Sequence, residues 1–247
     1  MSWMVALLTA CCISAQADEK AGAAEAANPI RVLIITGGHD FERAPFFAMF
    51  DSMPGVVWSE MQHPAANDSY STSAAQTYDV IVLYDMVQNI SEKQRNELVD
   101  LLRNQGKGLV ALHHSLANYQ SWPEFRSIIG GRYYFEEITE NGVTHPKSTY
   151  EHDQRFRVRI VDPEDSVTKG MGDFDIEDET YAGFAVEPGV NELLRVEHPK
   201  SAPVIGWSKT YGKARVVYLQ LGHGPTAYEN ENFRTLVLNS IRWVSRR

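Results

Sequence analysis

The stretch Arg31-Val32-Leu33-Ile34-Ile35-Thr36-Gly37-Gly38-His39-Asp40 decides the fold. Val32 to Ile35 are consecutive apolar residues, mostly β-branched, with no polar alternation. An unbroken run of this kind suits a strand buried on both faces, and such strands belong to parallel sheets covered by helices on either side. The run stops at Gly37-Gly38, and Glu42 to Met53 then reads as the following helix. The pattern recurs downstream. Val56 to Met61 is a second strand and Asp79 to Tyr84 a third. Ser91 is an N-cap for a helix over Glu92 to Asn104, with Leu98, Leu101 and Leu102 on one stripe. Gly106-Lys107-Gly108 ends that helix, and Leu109 to Leu112 is a fourth strand. Strands alternating with helices at this spacing predict an α/β fold with a doubly wound, mostly parallel sheet.

The C-terminal half reads as β-rich. Phe156 to Val161 alternates apolar with charged residues, as a strand with one solvated face does. Ala202 to Trp207 and Arg215 to Leu221 bracket Tyr211-Gly212-Lys213 as a hairpin, and Phe233 to Val244 is a closing amphipathic helix. No internal repeat is visible, so residues 29–247 are expected to form one domain.

Composition narrows the function. The 247 residues, 43% hydrophobic and 22% charged, suit one α/β domain. Lys plus Arg is 23 against 32 for Asp plus Glu, a net charge of −9, which argues against nucleic acid as a partner. The two cysteines, Cys11 and Cys12, leave the body without a thiolate metal site or a disulfide framework. Met1 to Ala17 carries no charge, and its apolar run from Trp3 to Ile13 precedes Ala15-Gln16-Ala17, which has the form of a secretory cleavage site. A signal peptide over 1–17, a linker from Asp18 to Asn28 and a periplasmic or extracellular location are therefore expected. Leu8-Thr9-Ala10-Cys11 also resembles a lipobox, which would lipid-anchor the protein to a membrane at Cys11. No Lys or Arg precedes the apolar run, a departure from both patterns.

In open α/β sheets, ligands bind beyond the carboxyl ends of the strands. Those ends carry Gly37-Gly38-His39-Asp40, Asp85, His113-His114-Ser115 and Gly222-His223-Gly224. One such histidine is ordinarily structural, but polar groups at four separate strand ends point to a shared site. Gly37-Gly38 lacks the Lys and Ser/Thr of a phosphate-binding loop, so no nucleotide cofactor is expected. Ser115 lacks the flanking glycines of a nucleophile elbow. The acidic stretch from Asp173 would ordinarily be a solvated face. Phe174, Ile176, Tyr181, Phe184 and Val186 interrupt or follow it, so part of it is expected to turn inward, with Glu179 as ligand or general base. His145 and His152 are candidates to join the pocket from a loop.

Together these residues resemble the ThuA-like family of trehalose-utilisation proteins. The matching pieces are Thr36-Gly37-Gly38-His39-Asp40, Gly106-Lys107-Gly108-Leu109-Val110-Ala111-Leu112-His113, Trp122-Pro123-Glu124-Phe125 with Ile129-Gly130-Gly131, Val167-Thr168-Lys169-Gly170-Met171, Asp178-Glu179-Thr180-Tyr181, and Gly212 to Tyr218 leading into Leu221-Gly222-His223. Asp165-Ser166 stands where the family often has a His-Pro pair. The resemblance implies a flavodoxin-like fold related to class I glutamine amidotransferases. Their cysteine nucleophile is replaced here by His113-His114-Ser115, so glutaminase chemistry is not expected. It also implies sugar catabolism, with a 3-keto disaccharide or glycoside as the small-molecule substrate. On that reading His113 or His223 is the base beside Glu179. A divalent metal ion on His39, His113 or His114, Glu179 and His223 would be the Lewis acid, and Asp40, Asp85, Ser115 and Tyr181 would line the substrate pocket. The alternative is a non-catalytic sugar-binding or scaffold domain at the cell envelope, with Tyr119, Trp122, Tyr133, Tyr134 and Trp207 as aromatic platforms. Oligomeric state is left open.

Overall fold

The computed structural model describes residues 28–140 and 142–247. The expected leader, Cys11 and all but the last residue of the expected linker lie outside them. The described elements are, in chain order, β1 (Ile30–Gly37), α1 (Arg43–Asp51), β2 (Val56–Gln62), β3 (Val80–Asp85), α2 (Glu92–Arg103), β4 (Gly108–Leu112), α3 (Pro123–Ile129), β5 (Gly131–Arg132), β6 (Ile138–Glu140), β7 (Val143–His145), β8 (Thr149–Ile160), β9 (Phe174–Ala182), β10 (Ala185–Val186), β11 (Asn191–Val196), β12 (Val204–Tyr211), β13 (Ala214–Leu219), α4 (Pro225–Tyr228) and α5 (Glu231–Ser245). Nine strands form one mixed sheet, ordered β2-β1-β3-β4-β13-β12-β11-β8-β9. The five strands from β2 to β13 pair in parallel, and every pairing from β13 outward to β9 is antiparallel.

The parallel half forms as its apolar runs require. Successive residues of a strand face opposite sides. Val32 and Ile34 join one core with Phe46, Met49 and Phe50 of α1 and with Phe233, Leu236, Val237 and Ile241 of α5. Leu33 and Ile35 join the other with Leu98, Leu101 and Leu102 of α2 and with Phe125, Ile128 and Ile129 of α3. Each such side chain removed from water contributes roughly 1.5–3 kcal/mol, so a charge placed in either run breaks a covered face. Ser91 caps α2 in a reciprocal pair with Gln94. At the end of β1 the chain needs glycine: Gly38 has φ 78°, and a Cβ there would meet the Met86 carbonyl oxygen at 2.0 Å.

The antiparallel half corrects one expectation and meets another. The region before Phe156 is strand rather than loop, because β8 begins at Thr149. Part of the acidic stretch from Asp173 turns inward, as expected, and does so as strand: Phe174 and Ile176 of β9 are buried and Asp175 is exposed, followed by a buried Asp178-Glu179-Thr180-Tyr181. The hairpin around Gly212 and the terminal helix form where expected. Among the described residues no helix is long and apolar enough to cross a membrane.

Candidate active site

The carboxyl ends of β1, β3, β4 and β13 open toward one edge of the sheet, and the last residues of β9 reach the same edge. Asp178 makes that junction. Its buried carboxylate accepts hydrogen bonds from the backbone amides of Gly222 at 2.7 Å and His223 at 2.9 Å. The next residue, Glu179, then sits among imidazoles. His113 Nε2 is 2.9 Å and His223 Nδ1 is 3.3 Å from its Oε2, and His152 Nδ1 is 3.2 Å from its Oε1. The His113 and His223 nitrogens are 3.3 Å apart, and the Tyr181 hydroxyl is 2.8 Å from His113 Nε2.

The backbone holds this cluster in place. β4 ends in a single 3₁₀ turn, His113–Ala117, whose first residue has φ 48°, a left-handed conformation that non-glycine residues seldom adopt. Its carbonyl accepts from the Tyr218 hydroxyl at 3.0 Å, and its Nδ1 meets the Gln220 carbonyl oxygen at 2.6 Å. Tyr84 donates to the Gly222 carbonyl oxygen at 2.7 Å. The loop after β13 is thus pinned from both β3 and β9.

Electrostatics follow from these contacts. Burial pushes the Glu179 carboxyl up, but the hydrogen bonds and charges of His113 and His223 outweigh it and leave it below the usual carboxylate range. The hydrogen bond with Glu179 raises His223 above the ordinary imidazole range, against the effect of burial. Burial, reinforced by His113 and His39, holds His114 well below that range, so its buried ring is neutral. Neither ring nitrogen of His114 has a hydrogen-bond partner among the described residues.

A cavity of about 320 Å³ opens over this edge, its wall including His39, His114, Tyr133, Phe135, Tyr150, His152, Glu179 and Tyr181. His113 and His223 meet the cavity through Glu179. The ThuA family model, described as trehalose utilisation, matches residues 31–244. The chain belongs to the ThuA family. Its fold has solved counterparts. A thua-like protein from Parabacteroides merdae superposes with a TM-score of 0.73 at 16% identity, covering 88% of this chain and 90% of that one. A thua-like protein from Bacteroides uniformis gives 0.65 at 21% identity, covering 87% and 91%. A cytoplasmic protein from Salmonella typhimurium gives 0.63 at 13%, covering 87% and 99%. At these identities the likeness is one of fold. No curated protein matches the chain.

The ThuA fold brings together most, not all, of the residues expected in the site. His113, Glu179 and His223 form one cluster whose ligand atoms lie within 4.8 Å of one another and could hold a metal ion. His39 and His114, expected as ligands, stand outside it: their rings stack on each other at 4.6 Å on the cavity wall. Adjacent after β4, His113 and His114 point apart, their ring planes at 82°. Tyr181 lines the cavity, whereas Asp40 and Ser115 do not. Asp40 is exposed and engages His39 through its own carbonyl oxygen. Asp85 is fully buried and accepts from His63 Nε2 at 2.8 Å, Asn118 Nδ2 at 2.7 Å and Ser115 Oγ at 3.2 Å, an interior anchor for the turn after β4.

His152 joins the cluster from β8, while His145 stacks on Tyr134 instead. Of the five aromatic platforms, Tyr133 alone lines the cavity. Tyr119, Trp122, Tyr134 and Trp207 are buried outside it, Trp207 donating to the Ile129 carbonyl oxygen at 2.7 Å. Phe135 and Tyr150, which no sequence pattern singled out, supply exposed aromatic surface on the cavity wall. Asp178 and Gln220 were also missed. Asp178 figures only as part of a motif, because a carboxylate on main-chain amides and a main-chain carbonyl oxygen give no sequence sign of their role.

Proposed function

We propose that the cavity takes a sugar ring carrying a ketone, as in a 3-keto disaccharide or glycoside, and that the imidazoles around Glu179 move the proton beside that ketone. The carrying observation is a buried, ionised carboxylate met by His113, His152 and His223 on the wall of an aromatic-rich cavity. A ketone acidifies the neighbouring C–H enough for a base near neutral pKa. His223 or His152, each paired with Glu179, takes the C2 proton, and the bonding electrons pass to the ketone oxygen as an enolate. The enolate then reforms the ketone and expels the C1 oxygen substituent, which takes a proton; water addition completes net hydrolysis. Tyr133, Phe135 and Tyr150 offer ring faces for the sugar. The order β2-β1-β3-β4-β13 with helices against both faces supports reading the parallel half as a doubly wound, flavodoxin-like scaffold. Export, which rests on Met1 to Ala17, would place this chemistry outside the cytoplasm.

The test is turnover in deuterated water. The C2 position of recovered substrate and product should take up deuterium, and the unoxidised glycoside should be inert. Equal cleavage of oxidised and unoxidised substrates without deuterium uptake would overturn the reading.

A further inference from the structure

We infer that His113, Glu179 and His223 form a mononuclear site for a divalent first-row metal ion, open to the cavity. Its role in the reaction rests on the keto-sugar reading above; the site itself rests on donor geometry. Glu179 Oε2 is 2.9 Å from His113 Nε2 and 3.3 Å from His223 Nδ1, and the two nitrogens are 3.3 Å apart. Two donors on a tetrahedral ion at about 2.0–2.1 Å stand about 3.3 Å from each other, and two at right angles about 2.9 Å. One ion reaches all three atoms at ordinary bond lengths.

The surrounding contacts prepare these atoms as ligands. The Gln220 carbonyl oxygen can only accept, so His113 Nδ1 keeps a proton, and an ion that displaces the proton shared between Nε2 and Glu179 meets the Nε2 lone pair. His152 engages Oε1 of Glu179, leaving Oε2 to the other two imidazoles. Asp178 fixes the main chain that carries His223. With that proton displaced, two lone pairs face each other at 2.9 Å, and a cation between them binds both. The Tyr181 hydroxyl, 2.8 Å from the same nitrogen, has to yield that lone pair to the ion.

Two neutral imidazoles and one carboxylate make a donor set for zinc, manganese, iron(II) or cobalt, and three protein ligands leave a position free, as catalytic sites do. Glu179 stands on the cavity wall, so that position is reached from the cavity. A ketone oxygen bound there would be polarised. With His223 on the ion, the C2 proton passes to His152, which faces the cavity outside the donor set.

The experiment strips the full protein with chelator, dialyses it, and titrates it calorimetrically with zinc, manganese and cobalt chlorides. One ion per chain is expected, with a visible absorption band in the cobalt form. Glu179→Gln, close in shape to the native side chain, His113→Ala and His223→Ala should each weaken binding by at least about 100-fold, while His145→Ala should not. Circular dichroism confirms that each variant is folded. Wild-type protein that takes up none of the ions at one per chain, or binding that survives all three ligand substitutions, overturns the site. A loaded protein inert toward every keto-glycoside leaves the site standing and removes the keto-sugar reading. Full turnover by protein that binds no ion removes the site and keeps that reading.

Discussion

Asp85 and Glu179 are both buried carboxylates at the carboxyl edge of the sheet, and they differ in what surrounds them. Around Asp85, the side chains of His63, Ser115 and Asn118 all turn donors toward it. Its demand is met, and the region is closed. Around Glu179 the neighbours are imidazoles that can hold or release a proton, and its side chain stands on the cavity wall. A carboxylate enclosed by one imidazole and two neutral donors holds a turn in place; one shared by three imidazoles on a cavity wall is placed to exchange protons or bind a cation. The same functional group, on β3 in one case and on β9 in the other, thus meets a closed interior or an open cavity.

The sharpest way to break this contrast is Glu179→Gln. Turnover should fall by about 10³-fold, while unfolding free energy moves by no more than about 1.5 kcal/mol. Steady-state kinetics beside urea denaturation decides it. Loss of fold with retained specific activity would put Glu179 in the structural class. Asp85→Ala should do the reverse, costing about 3 kcal/mol of stability by leaving three buried donors unpaired. The kcat of its folded fraction should drop less than about tenfold; a larger drop would mean that Asp85 belongs to the chemistry after all.

His114 gives the smallest and most selective test. Burial keeps it neutral in the folded protein, whereas the unfolded chain takes up a proton near pH 6.5. Stability therefore falls as pH drops below that value, by about 1.4 kcal/mol per unit for this one group. His223, raised by Glu179, acts in the opposite sense: its contribution is complete below the unfolded pKa and is lost as pH rises through the higher folded one. Urea unfolding across the pH range should show a shallower acid limb in His114→Phe than in wild type. Identical slopes would mean that His114 protonates in the folded state.

The contrast also shows how much a sequence exposes. The parallel half was legible because strands covered on both faces leave unbroken apolar runs, and observed boundaries differ from the expected ones by a residue or two. The antiparallel half was less so. In β9, alternation of Phe174 and Ile176 with Asp175 and Glu177 is a strand signal, but its acidic members outweighed it. The start of β8 is exposed and carries no apolar rhythm at all. For the site, strand ends located the histidines correctly, because in this architecture position along the strand fixes the edge. They could not show which way each side chain turns. Asp85 and Ser115 were therefore expected in the pocket, although both face inward to bond each other.

The Asp178 clasp on Gly222 and His223 joins segments 44 and 45 residues apart, and the meeting of His113 with His223 spans 110. Contacts of such separation cost more loop entropy and form late in folding. During synthesis the early strands and their helices emerge first, yet the cluster cannot close until Gly222 and His223 have left the ribosome. A product cut short before that point carries Glu179, His113 and His152 with nothing to bring them to register. Abortive translation then yields a chain in which the cluster never closes.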